Sequence, residues 1–427
     1  MKPMPYQIEG ADFLSKRRFA FLADGMGLGK SAQAIEACNV KGYKKIVVIC
    51  PAVARINWAR EFEMWRKHDM SIFIESFDTL ARRVDIQKKI VHMEPDVLII
   101  DEAHYLKNRT AKRTLAVYGK YCYGKGIASA AKNVWLLSGT PCPNDAGELW
   151  PHLRALWPEL ITIGDSPLNY ISFLQRYCVL QDTPFGPKIL GNKNKDELRS
   201  ILKQILLRRK AEDVLLDLPP ISWHMVPVEP IDVMDDIAKM EHEPAVMALM
   251  ASLTEETDLE SMMVAMASLR RATGVAKAKL AGRMIADEID SGAYSKIVVF
   301  YQHTEVGKTL IANLEKYGVV SISGSTTNTM RQKAIDTFQA DPSVRVFIGQ
   351  LQACSTAITL HAASQVMFVE QSWTPADNAQ AAKRCHRIGQ KSPVFVRMLG
   401  LAKSIDEAVT KVLARKSQMI SELMEEV

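Results

Sequence analysis

The sequence predicts an α/β protein of two parallel-sheet domains flanked by helices, with a helical insertion between or beside them. Three observations predict it. Short β-branched apolar runs alternate with helical stretches, and they do so in two separate blocks. Most of these runs are apolar throughout rather than alternating, the pattern of strands covered on both faces. Between the blocks the chain breaks on proline and glycine and then becomes rich in Met and Ala.

The first block holds candidate strands at Phe19 to Asp24, Lys45 to Cys50, Ser71 to Glu75, Asp96 to Glu102 and Val134 to Ser138. The second holds Lys296 to Tyr301, Val319 to Ser323, Arg345 to Gly349, Gln365 to Glu370 and Val394 to Leu399. Strand–helix alternation twice over implies two domains. Between them, Asp182 to Asn194 reads as loop and Leu198 to Asp213 as helix. Leu218-Pro219-Pro220, with Pro227 and Pro230, reads as a linker, because residues before proline avoid helical conformations. Ile231 to Ser291 reads as helices whose methionines fill core. The expected domains are therefore 1–160, an excursion and linker at 161–230, the helical insertion at 231–292, and 293–427.

Composition narrows the class. Of 427 residues, 48% are hydrophobic and 24% charged, enough apolar side chain for full-sized cores. No run of about 18 apolar residues is free of charge, so no membrane span is expected. The first ten residues lack a charged start followed by an apolar core, so no secretory signal is expected. Seven scattered cysteines form no C-x-x-C pair, which argues against zinc and for a reducing cytoplasm. A net charge of +6 permits a polyanionic partner without requiring one.

The sharpest local pattern is Ala23-Asp24-Gly25-Met26-Gly27-Leu28-Gly29-Lys30-Ser31, which follows an apolar run and opens a helix. Glycines let a backbone curl so that several N–H groups point at phosphate oxygens, and the helix N-terminus adds its positive end. Lys30 is then placed to bridge the β- and γ-phosphates, and the Ser31 hydroxyl to hold Mg²⁺. The usual phosphate-loop pattern has Gly where this chain has Asp24, so a glycine-rich turn without ligand stays open at this point. Asp101 and Glu102 end an apolar strand, the edge where open α/β sheets bind ligands. Asp101 can orient Mg²⁺ and Glu102 can polarise an attacking water, with a solvated turn as the alternative. Ser138, Gly139 and Thr140 follow another strand and could report the γ-phosphate, while His104 could couple the site to the second domain. In the second block Gln380 to Gln390 is dense in cations. Arg384 and Arg387, three apart, would share a helical face suited to a triphosphate, or form a solvated basic helix end.

These pieces, in this order, resemble helicase superfamily 2, and more closely its SWI/SNF-like branch of DNA translocases. Met26 to Lys30 looks like that branch's first motif, whose members also carry Asp at the position of Asp24. Pro5-Tyr6-Gln7 resembles its start, where the glutamine reads adenine. Cys50-Pro51, Asn57-Trp58 and Glu61-Phe62 match its second motif, and Asp101 to His104 is its DEAH-type box. Leu206 to Asp213 resembles its inter-lobe segment. Gly324-Ser325 with Arg331 fits its fourth motif, and His386-Arg387-Ile388-Gly389-Gln390 is its most specific signature. Residues from 353 to 373 look most like the annealing-helicase (fork-remodelling) subgroup. Cys354, Ser355 and Ala357 stand where relatives usually carry glycine.

The resemblance implies two RecA-like lobes and a minimal bacterial or phage-type member. It implies an ATP site of Gln7, Asp24, Gly25, Gly27, Leu28, Gly29, Lys30 and Ser31, with Mg²⁺ held by Ser31 and Asp101. The catalytic set it implies is Lys30, Glu102, Gln380, Arg384 and Arg387. Nucleic acid would meet Pro51, Asn57, Trp58, Ser325, Arg331, Thr356 and Trp373. The expected function is DNA-dependent ATP hydrolysis with translocation on double-stranded or forked DNA by a monomer. A strand-separating DNA or RNA helicase and a non-hydrolysing DNA-binding scaffold are the alternatives.

Overall fold

The computed structural model describes residues 2–120, 126–142, 145–183, 186–214, 218–229, 267–354, 358–402 and 404. The chain divides into two compact units, with the boundary between residues 216 and 217.

In the first unit the strands are β1 (Phe19–Leu22), β2 (Lys45–Cys50), β3 (Ser71–Ser76), β4 (Val97–Asp101) and β5 (Asn133–Leu137). Two antiparallel ribbons follow, β6 (Thr162–Ile163) with β7 (Ser166–Pro167) and β8 (Cys178–Thr183) with β9 (Gly186–Asn192). A last short strand, β10 (Leu206–Leu207), completes a six-stranded parallel sheet of order β10-β1-β5-β4-β2-β3. The apolar runs stay apolar because both faces are covered: from Val97 to Ile100 and from Ile46 to Cys50 every residue is buried. On one face Leu98, Ile100, Val134 and Leu136 pack with Trp150, Phe173, Tyr177, Leu198 and Leu202. The chain leaves β1 and enters β2 on the far side of β5 and β4, which opens a crevice at the carboxyl ends of the central strands.

The second unit repeats the plan. Its strands are β11 (Ile221–Val228), β12 (Ile297–Tyr301), β13 (Val319–Ile322), β14 (Val346–Gln350), β15 (Gln365–Phe368) and β16 (Val394–Leu401), all parallel, in the order β11-β16-β15-β12-β14-β13. The helix Ala267–Asp290 lays Ala278, Ala281, Ile285 and Ile289 against Val299, Ile348 and Val369. On the opposite face Phe300, Phe338, Phe347 and Phe368 form the aromatic centre of a separate core.

All ten expected strands are present, and others appear where different structure was expected: the stretch Asp182 to Asn194, read as loop, contains β9, whose antiparallel pairing with β8 satisfies its backbone, and β10 and β11 follow. Leu198 to Asp213 was expected to be helical, but the helix Lys195–Ile205 stops and Leu206–Leu207 pairs with β1. Ala23 and Gly25 donate their N–H groups to the carbonyls of Leu207 and Arg209 at 2.7 and 2.8 Å, and this edge pairing replaces helical hydrogen bonds. The proline-broken linker near 218–230 contains β11. Pro227, opposite Gly400, is tolerated because β11 is an edge strand and one of its sides carries no ladder. The excursion expected at 161–230 is accordingly split, its residues up to 214 building the first unit and β11 the second. Of the expected insertion, 267–290 is a helix packed on the second sheet, and 231–266 lies outside the described residues.

Phe347 is fully buried, its ring centroid 5.4 Å from that of Phe338 at 63°. Phe347→Ala is expected to cost about 3–5 kcal/mol. The check is urea unfolding followed by a probe in the second unit, where the midpoint should fall; an unmoved midpoint would refute the packing assignment.

Candidate nucleotide site

The site grows out of register. Leu22 of β1 and Asp101 of β4 both pair with Leu137 of β5, so the segments after these strands leave the sheet at one level. They are the phosphate loop, the acidic pair and the Ser138-Gly139-Thr140 turn. The Ser138 N–H donates to the Leu22 carbonyl at 3.2 Å, closing the turn onto β1. A Cβ added to Gly139 would stand 3.5 Å from Lys30 Nζ and 3.6 Å from the Asp24 carbonyl, so this turn lies against the loop itself.

The loop is shaped to hold phosphate. Gly27 and Gly29 have φ of +87° and +67°, left-handed conformations that side chains strain to adopt. Gly29 caps the helix Lys30–Lys41 without a side-chain hydrogen bond, which leaves the first N–H groups for an anion. Lys30 Nζ donates to the carbonyls of Asp24 and Gly25 at 2.8 and 3.3 Å, within the curl of the loop. Leu28 is fully buried and offers only its carbonyl, which accepts from Gln33 at 3.0 Å and Gln7 at 3.4 Å. Gln7 is buried beside the loop and its Nε2 would be 2.5 Å from a Cβ on Gly29.

Asp24 has a different part from the one expected. Its carboxylate is fully buried and both oxygens are taken: Arg209 donates to Oδ1 at 3.0 Å and to Oδ2 at 2.6 Å, and Gln33 donates to Oδ2 at 3.0 Å. It therefore meets a guanidinium rather than a nucleotide. Sequence reading missed Arg209, 185 residues away. The available signal was Asp24 itself, since an acid in a buried loop needs a cation.

Asp101 is half-buried at the end of β4. Burial, reinforced by the charge of Glu102, pushes its carboxyl up to about 6; a hydrogen bond from Trp58 and the charge of Lys30 oppose the shift. A divalent cation at this carboxylate would oppose that shift and favour its anionic form. Trp58 was expected against nucleic acid. Instead it is 1% exposed, and its indole N–H donates to Asp101 Oδ2 at 2.8 Å. Glu102 stands in the left-handed region at φ +51°, with His104 Nδ1 3.3 Å from its Oε2. The same His104 nitrogen is 3.0 Å from Ser138 Oγ, and Ser138 Oγ accepts from the Thr140 N–H at 3.2 Å. His104 thus joins the acidic pair to the Ser138 turn within the first unit.

In the second unit the arginines are arranged otherwise than expected. The helix Pro375–Ala382, which carries Gln380, ends before them, so Arg384 and Arg387 lie on successive turns and share no helical face. Arg384 is 2% exposed, whereas Arg387 is half-buried and donates to Thr359 Oγ1 at 3.1 Å. Gln390 organises these turns. Its Nε2 lies 2.9–3.1 Å from the carbonyls of Ala363, His361 and Cys385, and its Oε1 accepts from the N–H groups of Lys391 and Ser392.

Three other residues expected against nucleic acid, Arg331, Trp373 and Pro51, are also interior. Arg331 is buried and donates to the Ala353 carbonyl, and Trp373 is 5% exposed beneath the Arg270 guanidinium at 4.4 Å. Pro51 is buried, Asn57 half-buried and Ser325 exposed. Thr356, with Ser355 and Ala357, lies outside the described residues. Among the described residues no cluster of His, Cys, Asp or Glu could hold a metal by itself, and no helix is long and apolar enough to cross a membrane.

Fold and site together define a protein with a glycine-rich loop and an acidic pair at the carboxyl edge of one of two parallel-sheet units. The profile of the SNF2-related domain matches residues 66–275, and that of the helicase conserved C-terminal domain matches 279–389. Among curated proteins the chain is 30% identical, over 98% of its length, to the SWI/SNF-related matrix-associated actin-dependent regulator of chromatin subfamily A-like protein 1 homolog of Caenorhabditis elegans. It is 29% identical, again over 98%, to the DNA annealing helicase and endonuclease ZRANB3 of Homo sapiens. The chain spans 61% of the first and 40% of the second. A Sulfolobus solfataricus SWI2/SNF2 ATPase core in complex with dsDNA aligns over 99% of this chain and 93% of its own at 24% identity, with a TM-score of 0.44. The chain thus carries an SNF2-related domain followed by a helicase conserved C-terminal domain.

Removing the Gln390 amide would leave three carbonyls and two N–H groups without their partner. Gln390→Ala is expected to destabilise the second unit by about 1–3 kcal/mol. Thermal unfolding against wild type checks this, and equal melting curves would contradict it.

Proposed function

We propose that the chain is a DNA-dependent ATPase that translocates on double-stranded or forked DNA, of the fork-remodelling or repair type. The observation that carries it is the convergence of Lys30, Asp101, Glu102 and the His104–Ser138 pair on the carboxyl edge of one sheet. The loop's positive-φ glycines and the helix N-terminus that follows them fit a triphosphate. The Asp101 carboxylate and the Ser31 hydroxyl beside the loop fit Mg²⁺.

In this reading Ser31 and Asp101 would hold Mg²⁺, and the ion would supply charge neutralisation on the phosphates. Trp58 keeps one Asp101 oxygen fixed by its 2.8 Å hydrogen bond. Lys30 exchanges loop carbonyls for the β- and γ-phosphates. Gln7, on the helix Pro5–Ser15, reads adenine. Glu102 takes the proton of the attacking water. His104 passes the state of that carboxylate to Ser138 and the Thr140 backbone. By the family resemblance Gln380, Arg384 and Arg387 belong to the catalytic set, and arginines in that role are worth roughly 10³–10⁵ in rate in related phosphoryl-transfer systems. DNA contacts go mainly to phosphates, so sequence preference is weak. The names of the relatives, an annealing helicase and a chromatin regulator, support a DNA substrate. The free cysteines among the described residues support a reducing compartment.

Steady-state ATP hydrolysis is measured for wild type and Glu102→Gln, alone and with duplex, single-stranded or forked DNA, or RNA. Stimulation by duplex or forked DNA, with a loss in Glu102→Gln of roughly 10²–10⁴-fold, is expected. Stimulation by RNA alone would replace the DNA reading, and no hydrolysis by a folded, ATP-binding protein would refute the motor. Trp58→Phe keeps the ring and removes the hydrogen bond to Asp101. It is expected to raise the Mg²⁺ concentration for half-maximal activity about 10–100-fold, as loss of a metal ligand's orienting partner does. An unshifted Mg²⁺ titration would deny Trp58 that part.

A further inference from the structure

We propose that Arg209 is a positioning residue of the nucleotide site, acting through Asp24 to set the curvature of the phosphate loop and the seat of the Gln7 helix. The proposal rests on the nucleotide-site reading above and adds to it a residue outside the loop.

Arg209 follows β10 and grips the loop twice. Its backbone carbonyl accepts the Gly25 N–H at 2.8 Å, continuing the β10–β1 pairing into the loop. Its guanidinium takes both Asp24 oxygens in a fork, at 3.0 and 2.6 Å. The same group donates to Gln33 Oε1 at 2.9 Å, on the helix the loop opens. It also donates to the Tyr6 carbonyl at 2.5 Å and to Glu9 at 3.2 Å, both on the helix that carries Gln7. One planar cation therefore joins the loop, the helix behind it and the helix beside it. A lysine, with a single rotating ammonium, cannot reproduce that fork.

The packing leaves this junction little freedom. The Arg209 side chain is 12% exposed and the Asp24 side chain 0%. A side chain at Gly10 would collide with Gln33 and reach within 2.8 Å of Arg209 Nη2, so the Gln7 helix approaches at a glycine. Asp24 supplies the carbonyl that Lys30 meets at 2.8 Å, so where Arg209 holds Asp24 the loop carbonyl that seats Lys30 is held too. The acid in place of the usual glycine is thus the loop's anchor, and Arg209 is what it is anchored to.

The test uses the full chain and Mg²⁺ with the fluorescent nucleotide mant-ADP, read as Kd well below the melting temperature, beside kcat/KM for ATP. Arg209→Met strands a buried carboxylate and can unfold the protein, so the deciding variant is Asp24→Asn with Arg209→Met, which removes both charges together. The expected result is a melting temperature near wild type with a raised Kd. A loop displacement of about 1 Å is expected to lower kcat/KM on the order of 10²-fold. Arg209→Lys, which keeps the charge and loses the fork, should fall between the two. A folded double variant that binds mant-ADP as wild type does would overturn the proposal. If the double variant does not fold, Arg209→Lys decides alone: a raised Kd supports the proposal and a wild-type Kd defeats it. Lys30→Ala serves as the separate control. Wild-type binding by that variant would fail the nucleotide-site reading itself, whatever Arg209 does.

Discussion

Leu22, Leu137 and Asp101 stand in line across three parallel strands, and the chemistry of the first unit depends on that alignment. Parallel strands repeat side-chain direction every second residue. A slip of one residue in β4 would therefore exchange Asp101 for an apolar neighbour and turn Trp58's partner away. Register is secured because every residue from Val97 to Ile100 is buried, so no shifted pairing keeps the polar end at the edge and the apolar run inside. The same lock explains why three loops far apart in sequence can share one set of contacts.

Within that frame, buried and half-buried polar groups are held by partners from other elements. Asp24 is met by Arg209 and Gln33, Asp101 by Trp58, and Ser138 by His104. In the second unit Glu370, 3% exposed, accepts from the Gln302 and His303 N–H groups at 2.8 Å, and Gln390 closes the turns that carry the arginines. A buried polar atom without a partner costs about 1–3 kcal/mol, so these pairs restrict each loop to one conformation as well as stabilising it.

Much of this was legible in the sequence. The ten main strands were visible because strands covered on both faces must be apolar throughout. The phosphate loop, the acidic pair and the Ser138 turn were visible because each follows such a strand. What was misread had a common cause. Leu206–Leu207 is too short to show a period, and β11 is disguised by Pro227, which only an edge position allows. Trp58, Arg331 and Trp373 looked like surface contacts because aromatic and cationic residues suit nucleic acid, but each is turned inward to a partner that sequence distance hides.

The sequence by itself determined two parallel-sheet units and the residue types of the candidate nucleotide site, since strand burial and loop chemistry are local properties. Only the tertiary structure decided which groups those residues meet. Asp24 faces Arg209 rather than phosphate, Trp58 orients Asp101, and Arg384 and Arg387 occupy separate turns. Such pairings depend on strand order and on where each helix stops. Both are settled by packing across the whole sheet, between residues as much as 203 positions apart.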